Sequence, residues 1–412
     1  MMQESCRGQG DGALPRVLFI SPRFLFPTDT GGQIRTAQVL RHAHGRWLDI
    51  TLLSPATLQQ QQEHAGDLST ICSRLIPYRT RWQHSTMRAL GRAMSLLSAW
   101  PVSVASDRAS HLKQCLRRLM QEGRWQAVVY DFTHMAINYD PPPKGVPALL
   151  FTHNVEQEIF KRRAEVARGR FSEMLWRNQY RKMQRFEDSV LGCFETILAV
   201  SERDAAFFQR LAPERTIRVI PTGVDTDQIA YQPPGSEPVA VFVGSMDAHQ
   251  NIEGVGWFLE EIWPLVKQRT PEAQLRVIGR YPPEGFRQRY AADSSVTFTG
   301  WVEDPALESR VGALFIVPLR VGGGTRIKIY EAMAMGLPVV STQVGAEGLA
   351  LKPGKHYLQG NDPEAFSQRI SILFEDRNRT LALSREARTL VERKFGWRHA
   401  ARAFAEACLQ RG

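Results

Sequence analysis

The chain has 412 residues, is 43% hydrophobic and 23% charged, and carries a formal net charge of +10; this is the make-up of a globular protein long enough for about two domains with full cores. No apolar run approaches the roughly 18 residues of a membrane span, and residues 1–16 are polar and glycine-rich, so neither a spanning segment nor a secretory leader is expected and a cytoplasmic setting is. Cys6, Cys72, Cys115, Cys193 and Cys408 are scattered without CxxC spacing, which argues against a disulfide framework and a zinc site.

Along the chain, strand-length apolar runs alternate with helical patterns, the signature of parallel α/β architecture. The first series is Val17–Ser21, Ile50–Leu53, Ala127–Tyr130, Ala148–Phe151 and Thr196–Val200. The second is Val239–Val243, Gln274–Ile278, Val296–Thr299, Ala313–Leu319 and Val339–Ser341. The Pro- and Gly-rich segment Ile217–Pro238 separates them, which predicts two doubly wound Rossmann-like domains, residues 1–215 and 216–394, with a terminal helix at 395–412.

Charge divides with the domains. Residues 1–215 hold 29 Lys+Arg against 20 Asp+Glu, the remainder 23 against 22. Much of the N-terminal excess lies in Trp82–Arg124 and Lys161–Arg185, where Arg and Lys alternate with large apolar residues. Such helices suit an anionic membrane surface or an acidic substrate, and equally form ordinary solvated faces. Nucleic acid is not expected, since no recognition motif accompanies the charge.

The most informative stretch is Pro318–Ser341, which reads as strand, glycine loop, helix and strand. Gly322, Gly323 and Gly324 free the backbone to turn, Thr325 is placed to cap a helix over 326–335, and Gly336 with Pro338 stops it. A helix start behind glycines presents unpaired N–H groups and a positive dipole end to phosphate, with Arg326 and Lys328 adding full charges. Glu331 shares a helical stripe with Ile327 and Ala334, so its carboxylate needs a cation or ligand hydroxyls as partner; the competing reading is a surface acid on a crossover helix. In open α/β folds the strand-end loops line the ligand site. They are Pro27–Arg35, Thr152–Glu156, Gly244–Asn251, the glycine loop and Gly345–Gly348.

These residues resemble the retaining, nucleotide-sugar-dependent glycosyltransferases of the GT-B fold, in particular the group 1 or family 4 type. The resemblance rests on Gly31-Gly32 before Arg35, Thr152-His153-Asn154, Ser201–Asp204, Ile220–Asp225, Phe242–Asp247, Phe298–Asp304, Glu331–Val340 and Phe395–Trp397. It implies transfer of a sugar from a nucleoside diphosphate to an acceptor hydroxyl, with the donor in the C-terminal domain, the acceptor largely in the N-terminal one, and no metal. Within it, His153, Arg326 and Lys328 are the expected catalytic residues; Gly31, Gly32, Gly244, Glu303, Gly323, Gly324, Thr325 and Glu331 the donor contacts; Arg35 and Asn154 the acceptor contacts. Glu331 matches the glutamate that holds the ribose. The family's other motif glutamate falls on Gly323, and its usual diphosphate-binding Arg and Lys fall within Gly244–Asn251, where neither occurs. Arg326 and Lys328 are the natural substitutes.

Other motifs are set aside. Asp225-Thr226-Asp227 imitates a metal-binding DxD but follows the linker rather than a nucleotide-binding strand. Asp247 and His249 lack a third metal ligand in sequence reach. The overall expectation is a metal-independent transferase in bacterial polysaccharide or lipopolysaccharide assembly, acting on a lipid-linked or other anionic acceptor at the inner membrane surface. An epimerase on the same fold and a non-catalytic nucleotide-sugar-binding protein are the alternatives. A nicotinamide dehydrogenase is disfavoured because no GxGxxG follows the first strand of either domain.

Overall fold

The computed structural model describes residues 13–80, 98–166, 169–226, 228–321 and 327–410. Two compact units divide it, one of Met1–Ile220 with Ala401–Gly412, the other of Pro221–Ala400.

In the first unit, β1 (Arg16–Ile20), β2 (Asp49–Ser54), β3 (Arg74–Pro77), β4 (Ala127–Asp131), β5 (Ala148–Phe151), β6 (Thr196–Ala199) and β7 (Thr216–Val219) form a sheet in the order β3-β2-β1-β4-β5-β6-β7. Every pairing in it is parallel. Parallel strands are covered on both faces, and the central ones are correspondingly apolar throughout. On one face Leu18, Ile20, Val128, Tyr130 and Leu150 join a core completed by Met183, Phe186 and Phe194. On the other, Phe19 and Phe151 meet Phe404 edge-on at 6.1 and 5.7 Å.

The helices that matter to the sites are α1 (Gly31–Ala43), α2 (Glu156–Val166), α3 (Arg170–Val190), α4 (His249–Trp257), α5 (Ile327–Met335) and α6 (Trp397–Leu409). Thr30 caps α1 by accepting from the Gln33 N–H. The start of α2 is held by a residue of α3. The buried Glu187 carboxylate accepts the N–H groups of Glu156 and Gln157, each at 3.0 Å, while burial pushes its pKa up to about 8.

The second unit repeats the plan with β8 (Val239–Val243), β9 (Gln274–Ile278), β10 (Val296–Gly300), β11 (Leu314–Val317), β12 (Val339–Ser341) and β13 (Leu358–Gln359), in the order β10-β9-β8-β11-β12-β13. All of its pairings are parallel. Ala240, Phe242 and Ile316 face one core, Val241, Phe315 and Val317 the other. In both sheets the strand order reverses beside the first strand, at β1/β4 and at β8/β11. These are the places where a doubly wound sheet opens a crevice at its strand C-termini.

Three strands escape the apolar-run reading, namely β3, β7 and β13. All are short edge strands, and β3 and β7 contain no fully buried residue; an edge needs no continuous apolar run. β7 occupies the first residues of the segment read as linker.

Gly336, just past α5, has φ +98°, and a Cβ there would lie 2.1 Å from the Gln232 carbonyl oxygen. The Ser384 hydroxyl also donates to the Gly336 carbonyl, at 2.6 Å. Gly336→Ala therefore meets both left-handed backbone and a backbone collision, and is expected to cost about 3 kcal/mol or more of stability in urea unfolding. An unchanged midpoint would show that the turn relaxes freely.

Candidate functional sites at the two strand-order reversals

In the N-terminal unit, the C-termini of β1, β4 and β5 bring Ser21, Asp131 and His153 together. Asp131 is fully buried and accepts hydrogen bonds from Ser21 Oγ at 3.2 Å and Thr36 Oγ1 at 3.1 Å. His153 Nε2 lies 2.7 Å from Asp131 Oδ1, so that nitrogen carries the proton and donates it to the carboxylate. Nδ1 then faces Arg35 NH1 at 3.4 Å as an acceptor. Burial lowers the His153 pKa; Asp131 opposes the shift, while Arg35 and His134 add to it.

Arg35 is 2% exposed. Its guanidinium lies 4.2 Å over the Phe151 ring and donates to the Thr152 carbonyl at 2.7 Å and the Ile220 carbonyl at 2.6 Å. Burial lowers its pKa to about 9, against the fields of Asp131 and Asp204, leaving it charged at neutral pH. Arg35 is thus turned into the fold, where its bond to the Thr152 carbonyl fixes the Thr152-His153 turn. His153 itself is 7% exposed with both ring nitrogens engaged inside the protein.

Asn154, beside it, is half-buried and makes no side-chain hydrogen bond among the described residues; Asp131 and Arg35 orient the imidazole instead. Gly31 and Gly32 open α1. A Cβ on Gly32 would fall 2.6 Å from the Phe132 ring and 3.7 Å from His153 Nδ1, so glycine here makes room for an aromatic stack. Phe132 packs flat on His153, centroids 4.0 Å apart, and 5.1 Å from His134 on its other side. Its φ of +67° is strained for a bulky side chain, and the two imidazoles hold it there. His134 Nδ1 is 2.5 Å from Asp107 Oδ2, an ion pair rather than an aligned hydrogen bond. Burial lowers the His134 pKa, but Asp107 and Glu156 act against it and the net shift is upward.

In the C-terminal unit, Gly244 follows β8 and its N–H donates to the Ile278 carbonyl at 2.9 Å. Lys328, on the first turn of α5, donates to the Val243 carbonyl at 3.3 Å and lies 4.4 Å over the Phe242 ring. The cation thereby sits at the end of β8, beside the β8/β11 reversal. Glu331 follows three residues on, so the two share a helix face. Glu331 is exposed, yet the protein mass around it raises its carboxyl pKa against the pull of Lys328. Accessible surface and local crowding are compatible here: water reaches one side of the carboxylate while protein crowds the others. Among the described residues it makes no hydrogen bond.

Gly323, Gly324, Thr325 and Arg326 lie outside the described residues. Glu303 is an exposed loop acid with no contact to distinguish it, next to Asp304, which caps a short helix through the Ala306 and Leu307 N–H groups. Asp225 Oδ1 accepts from the Gln228 N–H in a local turn, and Asp247 pairs with Ser245 and Arg280. No group of three His, Cys, Asp or Glu residues among the described residues is placed to hold a metal. Asp107, Asp131, Phe132 and His134 escaped the sequence reading because they carry no motif of their own; their neighbours come from the placing of β4 between β1 and β5 and from the turn that follows β4.

Residues 237–376 match the model of the family described as Glycosyl transferases group 1. The chain is 25% identical over 225 residues to a GDP-mannose-dependent alpha-(1-6)-phosphatidylinositol monomannoside mannosyltransferase of Mycolicibacterium smegmatis, covering 48% of this chain and 58% of that one. It is likewise 25% identical over 266 residues to O-antigen chain mannosyltransferase B of Escherichia coli, covering 54% and 62%. The matched stretches span about three-fifths of the length of these curated relatives. Among solved structures, sucrose-phosphate synthase from Thermosynechococcus elongatus superposes with a TM-score of 0.68 at 17% identity, covering 95% of this chain and 98% of that one. HepE of Anabaena, in complex with UDP and glucose, does so with a TM-score of 0.63 at 13% identity, covering 95% and 99%. At these identities the superpositions establish the fold, two parallel-sheet α/β units.

Proposed function

We propose, from a chain whose residues 237–376 match the group 1 glycosyltransferase model and whose two units have the GT-B fold, that the protein transfers a sugar from a nucleoside diphosphate to an acceptor hydroxyl with retention. The observation that carries this reading is the coincidence of the family match with Lys328 and Glu331 on one helix face beside the β8/β11 reversal. A cation there stabilises the diphosphate as it leaves, and a carboxylate one turn on accepts two ribose hydroxyls. Arg326, with the N–H groups of Gly323, Gly324 and Thr325, is assigned to the same diphosphate. Gly244 and Glu303 complete the donor side.

On the N-terminal side, Asp131, His153 and Arg35 hold Phe132 and the Thr152–Asn154 turn as a rigid wall for the acceptor. The curated relatives named above are transferases, and both are mannosyltransferases, so GDP-mannose is the first donor to test and UDP-glucose the second. The epimerase and non-catalytic alternatives gain nothing from these relatives. A thermal-shift series with GDP, UDP, ADP and their sugars tests the donor assignment directly, because a ligand that binds only the folded state raises the melting temperature by mass action. A shift with one nucleotide family is expected; none with any of them would overturn the proposal.

The acceptor is assigned to an anionic membrane surface. No helix among the described residues is long and apolar enough to cross a membrane. α3 instead exposes Phe171 at 76% and Met174 at 62% beside Arg170, Arg177 and Arg181, a combination that suits peripheral contact. Sedimentation with phosphatidylglycerol vesicles is expected to weaken with salt and with the double change Phe171→Ser, Met174→Ser. Equal sedimentation of the variant would move the contact elsewhere.

A further inference from the structure

The N-terminal unit contains a pocket of about 560 Å³ that none of the expected site residues lines. Its size is that of a small-molecule site. Its walls come from the loop after β1 (Arg23), the segment Val102–Asp107, the turn after β4 (His134), α2 (Phe160, Arg163) and α3 (Trp176, Gln179).

The polar groups of this pocket are mostly donors, and several lack a partner. Arg23 makes no ion pair or side-chain hydrogen bond among the described residues, and the Arg163 guanidinium carbon lies 5.1 Å over the Trp176 ring; both, with His134, act on the buried Glu156 carboxyl only through their field. Gln179 is 4% exposed. Its Oε1 accepts from the Val102 N–H at 3.0 Å, but its Nε2 has no hydrogen-bond partner, and neither has the buried hydroxyl of Ser103. A buried amide N–H₂ left unpaired costs free energy, so a site that keeps one is built to be filled. His134 adds an imidazole held toward its charged form by Asp107. Phe160 and Trp176, 6.0 Å apart and edge to face, supply an aromatic wall.

We infer that this pocket binds the phosphoryl group of a phosphorylated polyol or sugar, the head group of the acceptor, with its ring or carbon chain against Trp176 and Phe160. A carboxylate has two oxygens to offer. A phosphoryl group offers three and better matches two guanidiniums, an amide and a hydroxyl, with the His134 charge already met by Asp107 in the same wall. The pocket also communicates with the site after β4 and β5. His134 forms part of its wall and stacks on Phe132, which stacks on His153. The inference rests on the transferase reading only in calling the ligand an acceptor; the anion site stands on the pocket itself.

The test is isothermal titration of the full chain with glycerol 1-phosphate, with glycerol as the uncharged counterpart, and with monomeric dihexanoyl phosphatidylglycerol as the lipid form. The phosphate ester is expected to bind and glycerol not. Arg163→Gln and Arg23→Gln, both at solvent-accessible positions, should each weaken binding about tenfold or more, and Gln179→Leu about fivefold. Tighter binding of the lipid than of the monoester identifies a lipid head group as the source; the reverse identifies a free phosphate ester. Absence of ester binding, or equal affinity in both arginine variants with unchanged melting temperatures, overturns the site. Nucleotide thermal shifts on the same samples separate the two readings. A nucleotide shift without ester binding sinks the pocket alone, whereas ester binding without any nucleotide shift supports the pocket and sinks the transferase.

Discussion

His153→Ala is expected to lower kcat by about two to three orders of magnitude while leaving nucleotide affinity unchanged. The imidazole is the centre of a buried network in which Asp131, Thr36, Arg35 and the Phe132 ring all bear on it. Removing it leaves the Asp131 carboxylate, fully buried, without its strongest donor, and takes away the surface that holds Phe132 at its strained φ. A stability loss of about 3 kcal/mol should accompany the kinetic one, because the remaining charge stays buried and underpaired. Turnover and urea melts on the same variant check both, and normal kcat in a folded His153→Ala would remove this network from the mechanism. Asp131→Asn, which preserves shape, adds a test that reads the charge alone.

The sign of its pH dependence follows from the lowered His153 pKa. Below pH 6.5 the unfolded chain takes up a proton at this residue more readily than the folded one, so its contribution to stability falls as the pH drops through 6.5 toward the folded value. Asp131 is the charge that limits the shift. Without it the folded pKa drops further, and the stability gap between wild type and Asp131→Asn should widen from pH 7 to pH 5. A gap independent of pH would mean that Asp131 does not act on the imidazole through its charge.

Glu331→Ala is expected to weaken nucleoside diphosphate binding by about a hundredfold, equivalent to two charge-assisted hydrogen bonds of roughly 1.5 kcal/mol each. The other side of α5 is core. Ile329, Tyr330, Ala332, Met333 and Ala334 are buried, so the substitution removes a ligand contact without opening a cavity. Glu331→Gln keeps one acceptor oxygen and should fall between the two. Lys328→Met should reduce kcat more than affinity, since its charge matters most when the diphosphate departs. If Glu331→Ala bound nucleotide as tightly as wild type, the ribose assignment would fail while the fold assignment stood.

The alternation of apolar runs was enough to specify two parallel α/β units, because a strand buried on both faces must be apolar at every position and such runs are visible one residue at a time. The glycine-bounded segment before Val339 and the His153 turn were legible for the same local reason, each placing unusual residues at a strand end. Partnership was not legible. That Arg35, expected from the sequence to contact the acceptor, bonds the Thr152 and Ile220 carbonyls depends on where α1 lies over β5 and β6. Asp131 closes β4, and Phe132 and His134 follow it, just past the run read as a strand at Ala127–Tyr130; the pairing of β4 with β5 sets Asp131 and Phe132 against His153. The edge strands β3, β7 and β13 were silent because an edge is covered by its surroundings rather than by its own composition. Local chemistry writes the elements and their caps into the chain, while the pairing of charges separated by a hundred residues is decided by strand order.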